Sequence, residues 1–300
     1  MTKQAAVAPT VGWGTRLRTH PLIQLLLGAL AVLVPVAAIM ALARQIPNPA
    51  WRQAWPQVVA AAACVASYRW YVQRIERRAV TELQLAGAGR ELVLGGALGG
   101  AMLLASFGLV ALAGAFHIDG INHWSVLLLP LPEMALVALF EELLFRAVLF
   151  RIVENALGSW SALALMAVLF GAAHVPNAAI GPLPLVATVL AGLVLGLAYM
   201  LTRRLWLAVG FHFAWNYLQD AVFSVPVSGQ PAQGWLQGRL SGPDWLSGGA
   251  YGIEGALVTV LLYAVLSVVM LALVVRRGQE GFRRAGRAGP TTSGCGPSVR

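Results

Sequence analysis

Eight runs of roughly 20 apolar residues follow one another along the 300-residue chain, at 21–43, 53–72, 92–116, 124–150, 159–176, 182–202, 205–223 and 251–275. A run of that length can carry an α-helix across a hydrocarbon core. Only 11% of residues are charged, where a soluble domain carries about 25%. A soluble globule so poor in charge could not cover its own surface. Disorder needs low hydrophobicity and high charge, and 58% of this chain is apolar. The expectation is an all-α, polytopic integral membrane protein with about eight transmembrane helices.

The formal net charge is +9, which taken alone could point to nucleic acid. Its distribution points to topology instead. Eighteen of the 21 basic residues fall on one set of alternate connections and tails, and three fall on the other. By the positive-inside rule both termini are then cytoplasmic. The partners expected are a lipid bilayer and a membrane-associated peptide or protein, not nucleic acid. The first apolar run exceeds the 7–15 residues of a signal-peptide core, so a retained helix is expected. Two cysteines, Cys64 and Cys295, are too few for a disulfide framework and are read as free thiols.

The chain divides into a cytoplasmic tail over 1–19, N-terminal transmembrane helices over 20–123 with a cytoplasmic connector at 73–90, a core over 124–223, an external loop over 224–250, a last transmembrane helix over 251–275 and a basic disordered tail over 276–300. Gly95, Gly96, Gly99 and Gly100, and again Gly192 and Gly196, make small-residue faces suited to close helix packing.

Ionisable side chains inside a span cost about 2.5–3.5 kcal/mol at a helix centre, so the few present are informative. The fourth span carries Glu141-Glu142-Leu143-Leu144-Phe145-Arg146, the fifth Phe170 and His174, and the seventh His212 and Asn216. Glu142 and Arg146 stand i,i+4 and can pair. Glu141 lies about 100° round the helix and can face elsewhere. With a turn at Gly158, Glu141 lies 17 residues before it and His174 16 after, so antiparallel helices bring them level. His212 is about 12 Å beyond Arg204 and Glu141 about 15 Å from Arg151, which converges the three motifs in the cytoplasmic half. A carboxylate, two imidazoles and an amide can activate water, protonate a leaving amine and hold an oxyanion.

Glu-Glu-x-x-x-Arg, Phe-x-x-x-His and His-x-x-x-Asn, in order in three apolar helices, resemble the CPBP intramembrane endopeptidases, which comprise the CAAX prenyl proteases and the bacteriocin-processing (Abi) enzymes. The resemblance is strongest over about 124–220. The connector Glu76-Arg77-Arg78 with Glu82-Leu83, and the stretch from Gly242 to Gly252, are similar to further segments of the family. The resemblance implies proteolysis within the membrane at a site reached from the cytoplasm. Glu141 and His174 would activate water, His212 and Asn216 would bind the oxyanion, and Glu142 and Arg146 would support them. If the reaction is metal-dependent, Glu141, His174 and His212 are the candidate ligands of a divalent ion such as zinc. No His-Glu-x-x-His pair favours zinc, and a glutamic mechanism is preferred. The composition and the Gly242–Gly252 stretch suggest a bacterial inner (plasma) membrane.

Each motif alone has a plainer reading: a structural ion pair for Glu142–Arg146, a satisfied core histidine for His174, interhelical hydrogen bonding for His212 and Asn216. Two other functions use the same residues. A proton-coupled transporter would relay protons through Glu141, His174 and His212, but the inverted repeats expected of one are not seen. A non-catalytic immunity or scaffold protein would share the fold, but no motif residue is lost. Asp220 is read as a second layer to the site or a helix cap, Glu133 as interfacial, and Glu254 as meeting the last helix's N-terminus. His117, Asp119 and His123 are read as solvated loop residues.

Overall fold

A computed structural model describes residues 20–287, all but the small ribbon below being helix, turn or loop. The tail over 1–19, residues 288–300 and Cys295 lie outside the described residues. Helix α1 is Pro21–Ala43, α2 Trp55–Tyr71, α3 Ala88–Leu112, α4 Leu131–Glu142, α5 Arg151–Leu157, α6 Ser159–Ala173, α7 Pro182–Thr202, α8 Trp206–Tyr217 and α9 Leu257–Arg287. Four helical stretches are long and apolar enough to cross a membrane: α1, α3, α7 and the Leu257–Gly278 part of α9. Their outward faces are apolar, with Leu22, Val93, Val186 and Val265 exposed, as a lipid-facing surface requires and a water-facing one forbids.

The fourth apolar run is not one regular helix. Between α4 and α5 the chain takes a π-helical stretch, Leu143–Phe150, which widens the turn just after the glutamate pair. Gly158, at φ +83°, then ends α5 and starts α6 as an antiparallel hairpin, the turn that the sequence suggested. A second π-helical stretch, Leu218–Val222, follows α8.

The two glycine faces do pack helices closely. A Cβ at Gly95 would lie 2.1 Å from the Leu207 carbonyl oxygen, and one at Gly99 2.5 Å from that of Phe211. From the other side, a Cβ at Gly210 would sit 2.3 Å from the Leu92 carbonyl oxygen. Helices α3 and α8 therefore touch backbone to backbone. Gly192 and Gly196 do the same for α7, lying against Phe170 and Leu163 of α6. In both cases small residues let dispersion do what the hydrophobic effect cannot do in lipid.

The bundle has two unlike ends. At one, α2 and α5 finish while α3, α6 and α8 begin, and arginines crowd there. Arg151 pairs with Glu76, Arg203 with Glu154 at 2.6 Å, and Arg204 with Glu91. The connector at 73–90 is folded against this end. Glu82 is buried and accepts from Arg78 at 2.8 and 2.9 Å and from the Tyr68 hydroxyl. The Leu205 amide donates to the Glu82 carbonyl at 3.1 Å, and the Trp206 indole to that of Gln84 at 2.7 Å. Burial works against ionising Glu82, but the hydrogen bonds from Arg78 and Tyr68 and the Arg78 charge outweigh it, holding this carboxyl below its usual range.

The other end carries a correction to the all-α expectation. Phe116–Ile121 (β1) and Leu236–Leu240 (β2) form an antiparallel ribbon, with Phe116 opposite Leu240 and Ile118 opposite Gly238. The stretch over 224–250, expected to be an external loop, thus contributes a strand. Pairing satisfies backbone groups that neither short segment could satisfy alone, and strands this brief give almost no periodicity to read. The last helix also differs. It begins at Leu257, after single turns at Gly249–Tyr251 and Ile253–Gly255. It runs on to Arg287, so the tail expected to be disordered from 276 is helical that far.

Two outcomes follow for stability. Gly99→Leu drives a side chain into the α8 backbone and is expected to cost about 1–3 kcal/mol or more, read as a lower thermal midpoint in detergent. Gly89→Ala, with nothing within 4 Å of the added carbon, leaves the midpoint unchanged. Because Glu82's pKa is depressed in the fold, its stabilisation is present above the unfolded value and fades as pH falls through the folded one. Unfolding at a series of pH values should therefore show Glu82→Gln costing most at neutral pH, with the gap to wild type closing below about pH 4.

Candidate active site

Helix α4 ends on the two glutamates, and the turn there faces them in different directions. Glu142 is fully buried and accepts from Arg146 Nη1 at 2.9 Å. Arg146 is 1% exposed. Its Nη2 donates to the Gly192 carbonyl at 3.1 Å, and its guanidinium lies 4.8 Å from the Phe170 ring centre. A charged pair so deep is tolerable only when each ion is held by the other and by further hydrogen bonds. The pairing read from the i,i+4 spacing is present.

The same Glu142 oxygen accepts from His212 Nδ1 at 3.0 Å. A carboxylate already holding a guanidinium is an acceptor, so the proton of this bond sits on Nδ1. His212 Nε2 therefore points towards Glu141, whose Oε2 is 3.8 Å away, beyond hydrogen-bond reach. Glu141 is one-fifth exposed, and its Oε2 is buried with no hydrogen-bond partner among the described residues.

His174 stands at the C-cap of α6. Pro176 two residues on disfavours further helix, so the imidazole is presented at the helix end. Its Nδ1 lies 2.7 Å from the Phe170 carbonyl. A carbonyl only accepts, so Nδ1 carries the proton and Nε2 keeps its lone pair. Phe170 links the pieces: its ring centre is 4.8 Å from that of His174 and 6.2 Å from that of His212, edge-on to the latter.

Glu141, His174, His212 and Asn216 all line one cavity of about 250 Å³, walled by α4, α6, α7 and α8. His212 and Asn216 are each 7% exposed at its depth, while Glu133, Gln230 and Pro231 are exposed towards its mouth. The three motifs thus converge, as their helical spacing and shared depth suggested. The mouth faces the ribbon end, between the start of α4, the end of α6, the start of α7 and the loop after α8. That is the end away from the arginines.

Several lining residues carried weaker signals in the sequence. Asp220 lies two turns beyond His212 and does line the cavity. Glu133 lies two turns before Glu141 on the same stripe, and it too lines the cavity. Glu254 is not placed as a helix-terminus charge. It is buried and accepts from the Trp215 indole at 2.8 Å, from Gln219 at 3.2 Å, and from the Ser228 amide and hydroxyl at 2.8 and 2.7 Å. It ties α8 to the loop at the cavity mouth, through partners more than 25 residues away that no local pattern could reveal. His117, Asp119 and His123 are on or beside the ribbon, Asp119 pairing with Arg239 at 2.7 Å on the surface.

Among the described residues no three His, Cys, Asp or Glu side chains gather as a metal-holding group. Glu141, His174 and His212 are not brought together as such a group. Cys64 is buried as a free thiol.

The buried pair can be tested apart from any activity. Arg146→Met strands the Glu142 charge and should cost about 3–5 kcal/mol, whereas Glu142→Leu together with Arg146→Met should regain much of that loss. Thermal unfolding of the single and double variants in detergent measures it. A double variant no more stable than Arg146→Met contradicts the pairing.

Residues 122–218 match the sequence model of a family described as type II CAAX prenyl endopeptidase Rce1-like. No curated protein and no solved structure matches the chain. The matched third of the chain holds Glu141, Glu142, Arg146, His174, His212 and Asn216. Residues 122–218 of this chain are a domain of the Rce1-like type II CAAX prenyl endopeptidase family, the CPBP/Abi group that its three motifs resemble.

Proposed function

We propose that the chain is an intramembrane endopeptidase that hydrolyses a peptide bond of a membrane-associated peptide or protein, with Glu141, His174, His212 and Asn216 as its catalytic groups. One observation carries the reading. A carboxylate oxygen with no partner, two imidazole Nε2 atoms and an amide face a single cavity. A buried carboxylate oxygen without a hydrogen bond is costly, and a water held by Glu141 and His174 relieves that cost.

In the reaction, Glu141 takes a proton from this water with His174 Nε2 assisting, and the hydroxide oxygen bonds to the scissile carbonyl carbon. The carbonyl oxygen becomes an oxyanion, held by the Asn216 amide and by His212 in its Nε2-protonated form. The C–N bond then breaks, and the proton taken from water passes to the leaving amine. Glu142 orients His212 through Nδ1, and Arg146 holds Glu142 in place. No step passes through a metal ion. The protein is proposed to sit in a bacterial inner membrane through eight spans, with both termini in the cytoplasm.

Sequencing of new N-termini in membranes carrying the wild type, Glu141→Gln or His174→Ala tests this. Termini made by the wild type should be lost with either variant, each a fall of about 10²–10⁴ in rate. Chelator should leave the wild-type cleavage intact. Unchanged cleavage by both variants contradicts the assignment.

A further inference from the structure

At the arginine end several guanidinium groups are answered within the protein. Glu76 holds both Arg78 and Arg151, Glu154 holds Arg203, and Glu91 holds Arg204. Arg69 and Arg74 are not answered in this way. Both are exposed, Arg69 in the last turn of α2 and Arg74 in the π-helical turn Val72–Glu76 that follows it. Neither guanidinium has a hydrogen-bond or ion-pair partner among the described residues. The nearest carboxylate in the sequence, Glu76, is already shared by two other arginines.

These two arginines line the same open groove, of about 660 Å³, on the outer surface between α2 and α4. It is separate from the cavity that holds the catalytic groups and shares no residue with it. Its floor is a stripe of small apolar side chains on α2: Ala61, Ala62, Val65 and Ala66. They stand in two rows four residues apart, as one face of a helix requires. Leu139 of α4 forms the opposite wall. At the arginine end the groove is bordered by Trp70, which is 58% exposed; an indole so placed suits the headgroup level of a bilayer. No carboxylate lines the groove.

We infer that this groove holds a phospholipid with an anionic headgroup, its phosphate between Arg69 and Arg74 and an acyl chain laid along the alanine stripe against Leu139. In a membrane protein the outer solvent is lipid, so an apolar groove on the outside is filled by acyl chain. The two unanswered charges select the headgroup. Guanidinium binds phosphate through two parallel hydrogen bonds, and basic pockets between membrane helices are where anionic headgroups dock. A zwitterionic lipid brings its own cation and answers the arginines less well. Alanines in the floor let the acyl chain approach the helix closely, which gains dispersion contacts. The site also bears on α4. Leu139 and Glu141 are two residues apart, about 200° round the helix, so the turn that shows Leu139 to the lipid shows Glu141 to the catalytic cavity. The lipid thereby braces the end of α4. This inference is independent of the endopeptidase reading.

The test is native mass spectrometry of the full chain in detergent, titrated with dioleoyl phosphatidylglycerol or dioleoyl phosphatidylcholine. The wild type should bind the anionic lipid more tightly. Arg69→Gln with Arg74→Gln should weaken phosphatidylglycerol binding by about thirtyfold, roughly fivefold per guanidinium, and leave phosphatidylcholine unchanged. Arg44→Gln with Arg52→Gln removes the same charge outside the groove and should leave both affinities as they are. Ala62→Trp fills the groove from an exposed position and should weaken phosphatidylglycerol binding with both arginines in place. Glycerol phosphate, which has the charge without the acyl chains, should not displace the lipid. Phosphatidylglycerol should also raise the thermal midpoint of the wild type, and not that of the Arg69→Gln, Arg74→Gln protein. Equal affinity of the wild type for the two lipids overturns the inference. So does unchanged binding after Arg69→Gln with Arg74→Gln or after Ala62→Trp, an equal loss in the Arg44→Gln, Arg52→Gln protein, displacement by glycerol phosphate, or a midpoint that phosphatidylglycerol raises equally in the wild type and the Arg69→Gln, Arg74→Gln protein.

Discussion

Everything about this site hangs on one buried junction, the contact of Arg146, Glu142 and His212. Glu142 has no exposure, and its Oε1 accepts from both a guanidinium and an imidazole N–H, which is what makes a buried carboxylate tolerable. The guanidinium is itself braced by the Gly192 carbonyl and the face of Phe170. Four helical segments are thereby locked together: the one bearing the glutamates and Arg146, then α6, α7 and α8. The small residues that let these helices approach determine whether the junction can form. With a side chain at Gly192, α7 could not bring its carbonyl to Arg146.

The junction also gives the two adjacent glutamates different surroundings. Glu142 is spent on structure: it holds Arg146 and fixes the ring of His212. That leaves Glu141 with an oxygen that has no partner and a view of the cavity. Adjacent positions on a helix differ by about 100°, so one turn can offer one carboxylate to the core and the next to a reactant. His174 follows the same economy. Its Nδ1–H is given to the Phe170 carbonyl, which leaves Nε2 for chemistry.

Much of this was legible because helices impose a regular ruler on sequence. The spacing of Glu142 and Arg146 gave their pairing, and nearly equal distances from Gly158 put Glu141 and His174 on one cavity. The glycines at 95, 99, 192 and 196 announced the close helix contacts. What could not be read depends on partners far apart in the chain. Glu254 looked like a helix-terminus charge, because nothing local shows that Trp215, Gln219 and Ser228 will donate to it. Strands β1 and β2 are too short to show alternation, and each is ordered by the other. Glu82 appeared only as part of a charged connector, although it is among the most buried acids in the protein.

The resulting molecule is asymmetric: one end is rich in arginine ion pairs, and towards the other a loop and Glu254 border the cavity that Glu141, His174, His212 and Asn216 line. The most direct test of the account is an experimental structure of the protein bound to a phosphinate analogue of a cleaved peptide. One phosphinate oxygen should lie within hydrogen-bond distance of His212 Nε2 and the Asn216 amide, and the other against Glu141. An analogue seated away from these groups, or one whose oxygens are held by a metal ion on Glu141, His174 and His212, would contradict it.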